Sequence, residues 1–310
     1  MHKTTQNNTK HNYIYDKYNK NSKVSGSDLL AQLTEGISKL TTSFEWQRFL
    51  EFQSRFHQYS FSNVILIARQ CPSATQVAGY NTWLKLGRNV IKGEKAIWIL
   101  APMAYRHKNS DTDENTDVEN VSNSTTGNNK NEKGIRGFRR VPVFDVTQTE
   151  GDQLPSVCTP LVGDCDSYIF PKLVGIANSV GFNVEDARLE GSINGDCIYE
   201  LSRIRIEISN SPVQRVKTLI HEIAHAILHA GHRIERELAE LEAESIAYIV
   251  CQLLGIDSSG YSFGYVANWA GGGEKAVAGI KASCERIAAA TTTILSGLDI
   301  TNKLDIADRK

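Results

Sequence analysis

The segment His221-Glu222-Ile223-Ala224-His225 constrains this chain more than any other. Two histidines four residues apart lie on one face of a helix, so both rings can reach one metal ion. The glutamate beside the first histidine projects toward the same ion. Ser211 and Pro212 supply an N-cap and a first-turn proline for this helix. The segment therefore predicts a metal-binding helix with an apolar opposite face.

This spacing favours zinc chemistry on a carbonyl group. A zinc ion with three protein ligands and one open position lowers the pKa of its water to about 7. The sequence predicts His221 and His225 as zinc ligands and Glu222 as the base that accepts the proton. Leu228 and Gly231 occupy the positions where metzincins require glycine and histidine, which excludes that class.

The third ligand must come from another part of the chain. The next predicted helix carries four candidate carboxylates: Glu237, Glu240, Glu242 and Glu244. Glu240 and Glu244 share a face, an arrangement in which the first binds zinc and the second orients a ligand histidine. Glu242 is turned about 160° from Glu240 on an ideal helix, so it is expected to face elsewhere and to be dispensable for zinc binding. A solvated acidic helix face is the alternative, and His229 and His232 stay open as further ligands.

Charge is distributed unevenly along the chain. Residues 1–151 hold 20 Lys and Arg against 14 Asp and Glu, whereas residues 152–310 hold 14 against 21. The basic part interleaves cations with aromatic rings: Tyr80, Trp83, Lys85, Arg88, Lys92, Lys95 and Trp98. Single-stranded DNA binds such surfaces, because phosphates attract cations and unstacked bases stack on flat rings. Core packing is the alternative for each ring, and an ordinary charged surface is the alternative for the lysines.

Composition predicts two segments without a fixed structure. Residues 1–25 are rich in Asn, Lys and Thr and are expected to be a disordered tail. Residues 107–136 contain three aliphatic side chains and are expected to be a disordered insertion. Strand-like segments at 95–101 and 138–146 flank the insertion, which predicts an overlong loop between two paired strands.

Other patterns predict the compartment and several more elements. Helices are expected from Ser27 onward and over 61–70, and alternating isoleucines predict a strand at 203–208. No apolar run is long enough to span a bilayer, and the first residues lack the apolar segment of a secretory signal. Six cysteines without paired spacing predict reduced thiols. Together these features predict a cytoplasmic protein without a membrane partner.

The chain resembles the ArdC-type antirestriction proteins, which join a single-stranded-DNA-binding domain to a zinc metallopeptidase-like domain related to the ImmA/IrrE proteases. In the first half the resemblance is carried by residues 59–63, 79–83, 87–88, 92–95, Pro102 and 143–151. In the second half it is carried by residues 221–225, 240–247, Tyr265 and Trp269. Glu240 matches the first glutamate of the family's E-x-E-A segment. Glu244 stands where ImmA/IrrE relatives commonly have asparagine.

The resemblance implies an α+β protein with two domains. Residues 26–151 would form the single-stranded-DNA-binding domain, and residues 152–310 would form a zincin-like metallopeptidase domain with an unidentified protein substrate. It further implies a mobile-element protein that protects entering DNA from restriction. Residues 203–208 are expected to pair with an extended substrate backbone. One of three tyrosines, Tyr248, Tyr261 or Tyr265, is expected to stabilise an oxyanion.

Two alternatives stay open. The chain could be a regulatory protease that cleaves a repressor, with the basic part docking proteins. It could instead be a DNA-binding protein whose zinc is structural.

Overall fold

The computed structural model describes residues 25–105, 134–154, 165–257, 263 and 274–300. The helices within these ranges are α1 (Gly26–Ser38), α2 (Ser43–Arg55), α3 (Phe61–Gln70), α4 (Tyr80–Lys85), α5 (Cys165–Ser179), α6 (Pro212–Leu228), α7 (Arg236–Leu254) and α8 (Glu274–Gly297). The strands are β1 (Val77–Gly79), β2 (Arg88–Val90), β3 (Ile97–Tyr105), β4 (Gly134–Asp145), β5 (Thr149–Gly151), β6 (Asn183–Ala187), β7 (Gly195–Ile198) and β8 (Arg203–Glu207). Helices and largely antiparallel strands confirm the α+β class.

Caps set the ends of the first two helices. Ser25 Oγ accepts the N–H of Asp28, and the Asp28 carboxylate accepts the N–H of Ser25. This capping box starts α1 before Ser27, the predicted start. The apolar periodicity continues past α1, but the helix ends at Ser38 and a new one begins after Thr42, whose side chain caps α2. Two helices therefore replace the single long stretch that the periodicity suggests.

The predicted pairing across the insertion is confirmed. β3 and β4 are antiparallel, with Ile97 opposite Val143 at one end and Tyr105 opposite Gly134 at the other. β4 begins at Gly134, three residues inside the predicted insertion. The rest of the insertion and the tail up to residue 24 lie outside the described residues.

Two amide side chains from α3 satisfy the outer edge of β3. Asn63 donates to the Leu100 carbonyl and accepts from the Leu100 N–H, both at 2.9 Å. Gln70 does the same for Trp98, at 2.8 and 2.9 Å. The sheet order β1-β4-β3 gives this edge no strand neighbour within the described ranges. The amides thus protect an edge that could otherwise pair with another chain.

Asp145 joins two backbone segments in the N-terminal part, residues 75–76 and residues 145–147. Its buried carboxylate accepts the N–H groups of Thr75 and Gln76 at 2.8 and 3.1 Å. It also accepts the N–H and hydroxyl of Thr147 at 3.0 and 2.6 Å. Beside it, the buried Trp83 indole donates to the Phe144 carbonyl at 2.9 Å. Residues 143–151 therefore have a clear structural role.

We expect Asp145→Ala to lower the free energy of unfolding by roughly 3 kcal/mol, because it removes a buried carboxylate that accepts four partly buried hydrogen bonds. Urea unfolding followed by circular dichroism measures the change. The exposed Glu150 nearby offers a control, since Glu150→Ala should change the free energy by less than about 0.5 kcal/mol. Equal stability of the two variants would contradict the role given to Asp145.

The C-terminal sheet has the order β6-β8-β7, with β6 parallel and β7 antiparallel to β8. β8 covers most of the predicted 203–208 strand, but it is the central strand. Both of its edges are already paired, so the expectation that it binds a substrate backbone is wrong. Gly195 lets β7 approach α6 closely, since a Cβ there would lie 2.5 Å from the Thr218 methyl group.

The N-terminal helices and the C-terminal helices share one hydrophobic cluster. Trp46 on α2 packs against α7, and its indole N–H donates to Ser245 Oγ at 3.0 Å in the interior. The division at residues 151 and 152 stays a prediction. Free thiols are found at Cys71, Cys197, Cys251 and Cys284. Across those same ranges, every helix is too short or too polar to cross a membrane.

Candidate metal centre

Two helices bring the predicted ligands together. α6 presents His221 and His225 one turn apart, and α7 presents Glu240 to both. The two Nε2 atoms are 3.0 Å apart, and Glu240 Oε2 lies 3.3 Å from that of His221 and 3.6 Å from that of His225. One ligand atom from each of the three residues lies within 4.8 Å of the others. Two imidazoles and a carboxylate in this arrangement fit a divalent metal ion such as zinc.

The charges at the cluster favour a bound cation. Hydrogen bonds from His221 and His225 hold the pKa of Glu240 well below its ordinary value. Burial opposes a charge on His221, yet the hydrogen bond to Glu240 and the charge of Glu222 raise the pKa of His221. Burial lowers the pKa of His225, which favours the neutral ring that a metal ligand needs.

Glu222 lies beside the cluster in a buried position. Burial raises the pKa of Glu222 to about 7, against the opposing charge of His221. The carboxylates of Glu240 and Asp196 raise this pKa further. A carboxyl group with a pKa near neutrality suits general acid–base work.

Behind the cluster lies a buried polar chain that the spacing argument missed. His229, one turn after His225, has its Nδ1 atom 2.9 Å from His225 Nδ1 and its Nε2 atom 3.2 Å from Glu242 Oε2. Ser283 and Arg286 on α8 also donate to the fully buried Glu242. Burial would raise the pKa of Glu242, but the hydrogen bonds from His229, Arg286 and Ser283 outweigh it and lower the pKa.

This chain of contacts revises two expectations. Glu242 is turned away from the ligand cluster, as the helix geometry predicts, but its carboxylate is hydrogen-bonded to His229, Ser283 and Arg286. The nitrogens of His229 contact His225 and Glu242, so His229 lies outside the three-residue ligand group. His232 is exposed in the turn after α6 and is also outside this group. Sequence spacing could not reveal the chain of contacts, because half of it comes from α8.

A cleft of about 410 Å³ opens next to the cluster. Its lining residues are Ile193, Asn194, Gly195, Gln214, Lys217, Thr218, His221, Glu222 and Glu244. Burial raises the pKa of Glu244, and the charge of His221 opposes this rise. Glu244 therefore lies on the cleft side of the site, and its orienting role stays a prediction. β7 begins at Gly195, and among the described strands only β8 pairs with it, so an extended chain in the cleft could lie along its other edge.

The structure describes one of the three tyrosines that are candidates for stabilising an oxyanion. Tyr248 is buried and packs against Phe263, with ring centroids 5.7 Å apart, so it belongs to the core. Tyr261 and Tyr265 lie outside the described residues. Tyr199, in the turn after β7, was missed. Burial, with the charges of Cys197, Glu222 and others, raises the pKa of Tyr199 to about 12. Only the folded sheet brings Tyr199 toward these groups, so no local sequence pattern could have identified it.

Comparison with known families identifies the N-terminal part. Residues 26–144 match the family described as the N-terminal domain of the anti-restriction factor ArdC. These residues form an ArdC-type N-terminal domain. The match covers α1 to most of β4, which includes the Asn63 and Gln70 contacts to β3.

Individual relatives of the chain are distant in sequence. An uncharacterized Bacillus anthracis protein, pXO2-81, is 26% identical over 253 residues, which cover 72% of this chain and 42% of that protein. The chain therefore spans about two fifths of that relative's length. The metal-free crystal structure of the R388 plasmid ArdC antirestriction protein is 17% identical, covers 77% of this chain and 84% of that chain, and gives a TM-score of 0.44. The Mn(II)-bound structure of the same protein is 18% identical. It covers 89% of this chain and 97% of that chain, with a TM-score of 0.47.

The ArdC domain places the predicted DNA-binding residues in two groups. Lys85, Lys92 and Lys95 are exposed, and Tyr80 is half-buried. Arg88 has a structural role. Its guanidinium donates hydrogen bonds to the Thr149 hydroxyl and to the backbone carbonyls of residues 149, 151 and 152.

The two tryptophans belong to the core. Trp83 is fully buried and Trp98 is nearly so. The expectation that Trp83 stacks on DNA bases is therefore wrong, since no face of its ring reaches solvent. Replacing Trp83 would disturb packing and the hydrogen bond to Phe144 rather than test stacking.

Proposed function

We propose that the C-terminal part of this ArdC-type protein is a metal-dependent peptidase. The observation that carries this proposal is the convergence of His221, His225 and Glu240 on one point with the buried Glu222 beside them. These three residues would hold the metal. A divalent cation bound there would polarise a carbonyl group and lower the pKa of a water molecule. Glu222 would accept the proton of the attacking water and later donate it to the leaving amine.

The openness of the site favours catalysis over a structural metal. Structural zinc sites are closed by four protein ligands, whereas catalytic sites keep a position open. Among the described residues the ligand group has three members, and the side chain of Glu240 is 45% exposed. The adjoining cleft gives a substrate access to Glu222.

The edge of β7 replaces β8 as the proposed substrate strand. β7 pairs with β8 on one side, and within the described ranges its other edge has no strand partner. An extended peptide could add to this edge through backbone hydrogen bonds. In the same proposal, Tyr199 stabilises the oxyanion, and Glu244 orients His221.

Zinc is the proposed metal, because two imidazoles and one carboxylate are a donor set that zinc prefers. Mn(II), the ion named for the R388 protein, is the natural second probe. Titration of metal-free protein with each ion, followed by hydrolysis of casein with and without chelator, tests the proposal. Failure to bind either ion, or hydrolysis that a chelator leaves unchanged, would contradict it.

For the N-terminal part we propose binding of single-stranded DNA, in an antirestriction protein of a mobile element that acts in the cytoplasm. The match of residues 26–144 to the ArdC N-terminal domain supports this assignment. The exposed Lys85, Lys92 and Lys95 supply cations for phosphates, and the half-buried Tyr80 is the remaining ring.

We expect oligonucleotide affinity to fall steeply with salt and single strands to compete better than duplex. The double variant Lys85→Ala/Lys92→Ala should reduce the slope of log affinity against log salt by about 1.4, or about 0.7 per lost phosphate contact. Fluorescence anisotropy at several salt concentrations measures the slope. Lys39→Ala/Lys281→Ala removes the same charge from other helices and should keep the slope. Identical slopes for the two double variants would refute the proposed surface.

A further inference from the structure

With His229 as a neutral imidazole, the hydrogen-bond chain behind the metal centre has one consistent direction. Glu242 accepts from Ser283 Oγ at 2.7 Å and from Arg286 Nε at 3.1 Å, so it is an ionised carboxylate that only accepts. The nitrogen of His229 that faces Glu242 must then carry a proton and donate it. In a neutral imidazole the other nitrogen, Nδ1, keeps its lone pair and accepts.

The next contact follows from the first. His225 Nδ1 lies 2.9 Å from His229 Nδ1, so one of these nitrogens must donate to the other. Because His229 Nδ1 is the acceptor, His225 donates from Nδ1. The lone pair of His225 is therefore on Nε2, the atom that lies 3.0 Å from His221 Nε2 and 3.6 Å from Glu240.

We propose that His229 is a positioning residue that holds His225 with its Nε2 lone pair toward the metal, and that Glu242, anchored by Ser283 and Arg286, holds His229 in turn. This proposal rests on the proposed metal centre. It assigns a role to two buried polar side chains that are outside the ligand group, His229 at 2% and Glu242 at 0% exposure. It also makes α8 part of the support of the site.

The chemistry of the chain supports this role over simple packing. A buried histidine and glutamate are costly unless their polar atoms are paired, and here they pair with each other and with the ligand. Partners that fix the tautomer and orientation of a ligand histidine typically change metal affinity 10–100-fold when removed. An ordinary carboxylate partner would contact the ligand directly. In this protein His229 lies between the carboxylate of Glu242 and the proposed ligand His225, and it contacts both.

Two substitutions of His229 separate hydrogen bonding from packing. His229→Phe keeps a ring of similar size but removes both polar atoms. His229→Gln can place its amide oxygen near the Nδ1 position and its amide nitrogen near the Nε2 position, so it can accept from His225 and donate to Glu242. Ile280→Val on α8 trims the core without touching the chain and serves as the control for lost stability.

We expect His229→Phe to weaken Zn²⁺ binding 10–100-fold, while His229→Gln and Ile280→Val stay within about 3-fold of the wild type. Competition with a chromophoric chelator measures the affinity of the full chain. Nitrogen-15 NMR of the zinc-loaded protein gives a second readout. The His225 Nδ1–H resonance should be far downfield and slow to exchange in the wild type and in His229→Gln, and should lose both properties in His229→Phe.

Each contrary result is distinct. Wild-type affinity in His229→Phe would overturn the positioning role and leave the metal centre intact. Equal losses in His229→Phe and His229→Gln would show a packing role and overturn it as well. A His229 ring protonated on both nitrogens in the loaded protein would reverse the direction of the chain and refute it. A wild-type protein that binds no metal would refute both this inference and the proposed function.

Discussion

Glu222→Gln is expected to bind metal as the wild type does and to lose at least 100-fold in hydrolysis. Glu222 is outside the ligand group, so its amide analogue leaves His221, His225 and Glu240 unchanged. The amide cannot accept a proton, and removal of a general base typically costs 10²–10⁴-fold in rate. Metal affinity and casein hydrolysis, measured on the same preparation, separate the two effects.

Glu237→Gln provides the matched control, because Glu237 is an exposed carboxylate on α7 outside the ligand group. It should retain both metal binding and hydrolysis. Loss of metal from Glu222→Gln would show that Glu222 is a ligand and not the base. Transfer of unmodified plasmid DNA into restricting cells adds a biological readout. Full protection by Glu222→Gln would show that hydrolysis is not needed for antirestriction.

Glu240→Ala is expected to abolish tight metal binding. Glu240 Oε2 approaches both ligand imidazoles, and no other carboxylate joins their group within the described ranges. Loss of a direct ligand should exceed the 10–100-fold cost of losing an outer partner, so the dissociation constant should rise more than about 100-fold. Chelator competition with Zn²⁺ gives the value.

Glu244→Ala and Glu237→Ala complete this series on the same helix. Glu244→Ala should weaken binding by roughly 10-fold if Glu244 orients His221, and Glu237→Ala should leave it unchanged. Tight binding by Glu240→Ala, together with loss in Glu237→Ala or Glu244→Ala, would show that the register of α7 at the site is wrong by one turn.

The sequence correctly predicts that His221, His225 and Glu240 lie together, and their role as metal ligands stays a prediction. The spacing of His221 and His225 is fixed by the helix period, and the N-cap and proline at residues 211 and 212 start that helix where predicted. Glu240 follows from the face of the next helix and from the family pattern. Helix geometry thus gives the spacing within each helix, and the family pattern selects Glu240 on the second.

Contacts between segments that are far apart in the sequence cannot be predicted from local patterns. Glu242 is correctly placed away from Glu240, yet its partners Ser283 and Arg286 lie more than 40 residues later. The alternation in β8 correctly predicts one buried and one partly exposed face, but it does not give the strand order, and β6 and β7 cover both edges of β8. Trp83 lies among lysines in sequence, while its ring is buried beside Phe144. In each case a distant segment decides what a local pattern cannot.

A crystal structure of the full chain soaked with Zn²⁺, with anomalous data collected at the zinc edge, locates the metal directly. We expect one strong peak about 2.0–2.2 Å from Nε2 of His221, Nε2 of His225 and a carboxylate oxygen of Glu240. The carboxylate of Glu222 should lie next to the peak without bonding to it. A peak bound by Glu222, by Glu244 or by His229, with Glu240 turned away, would refute the proposed metal centre.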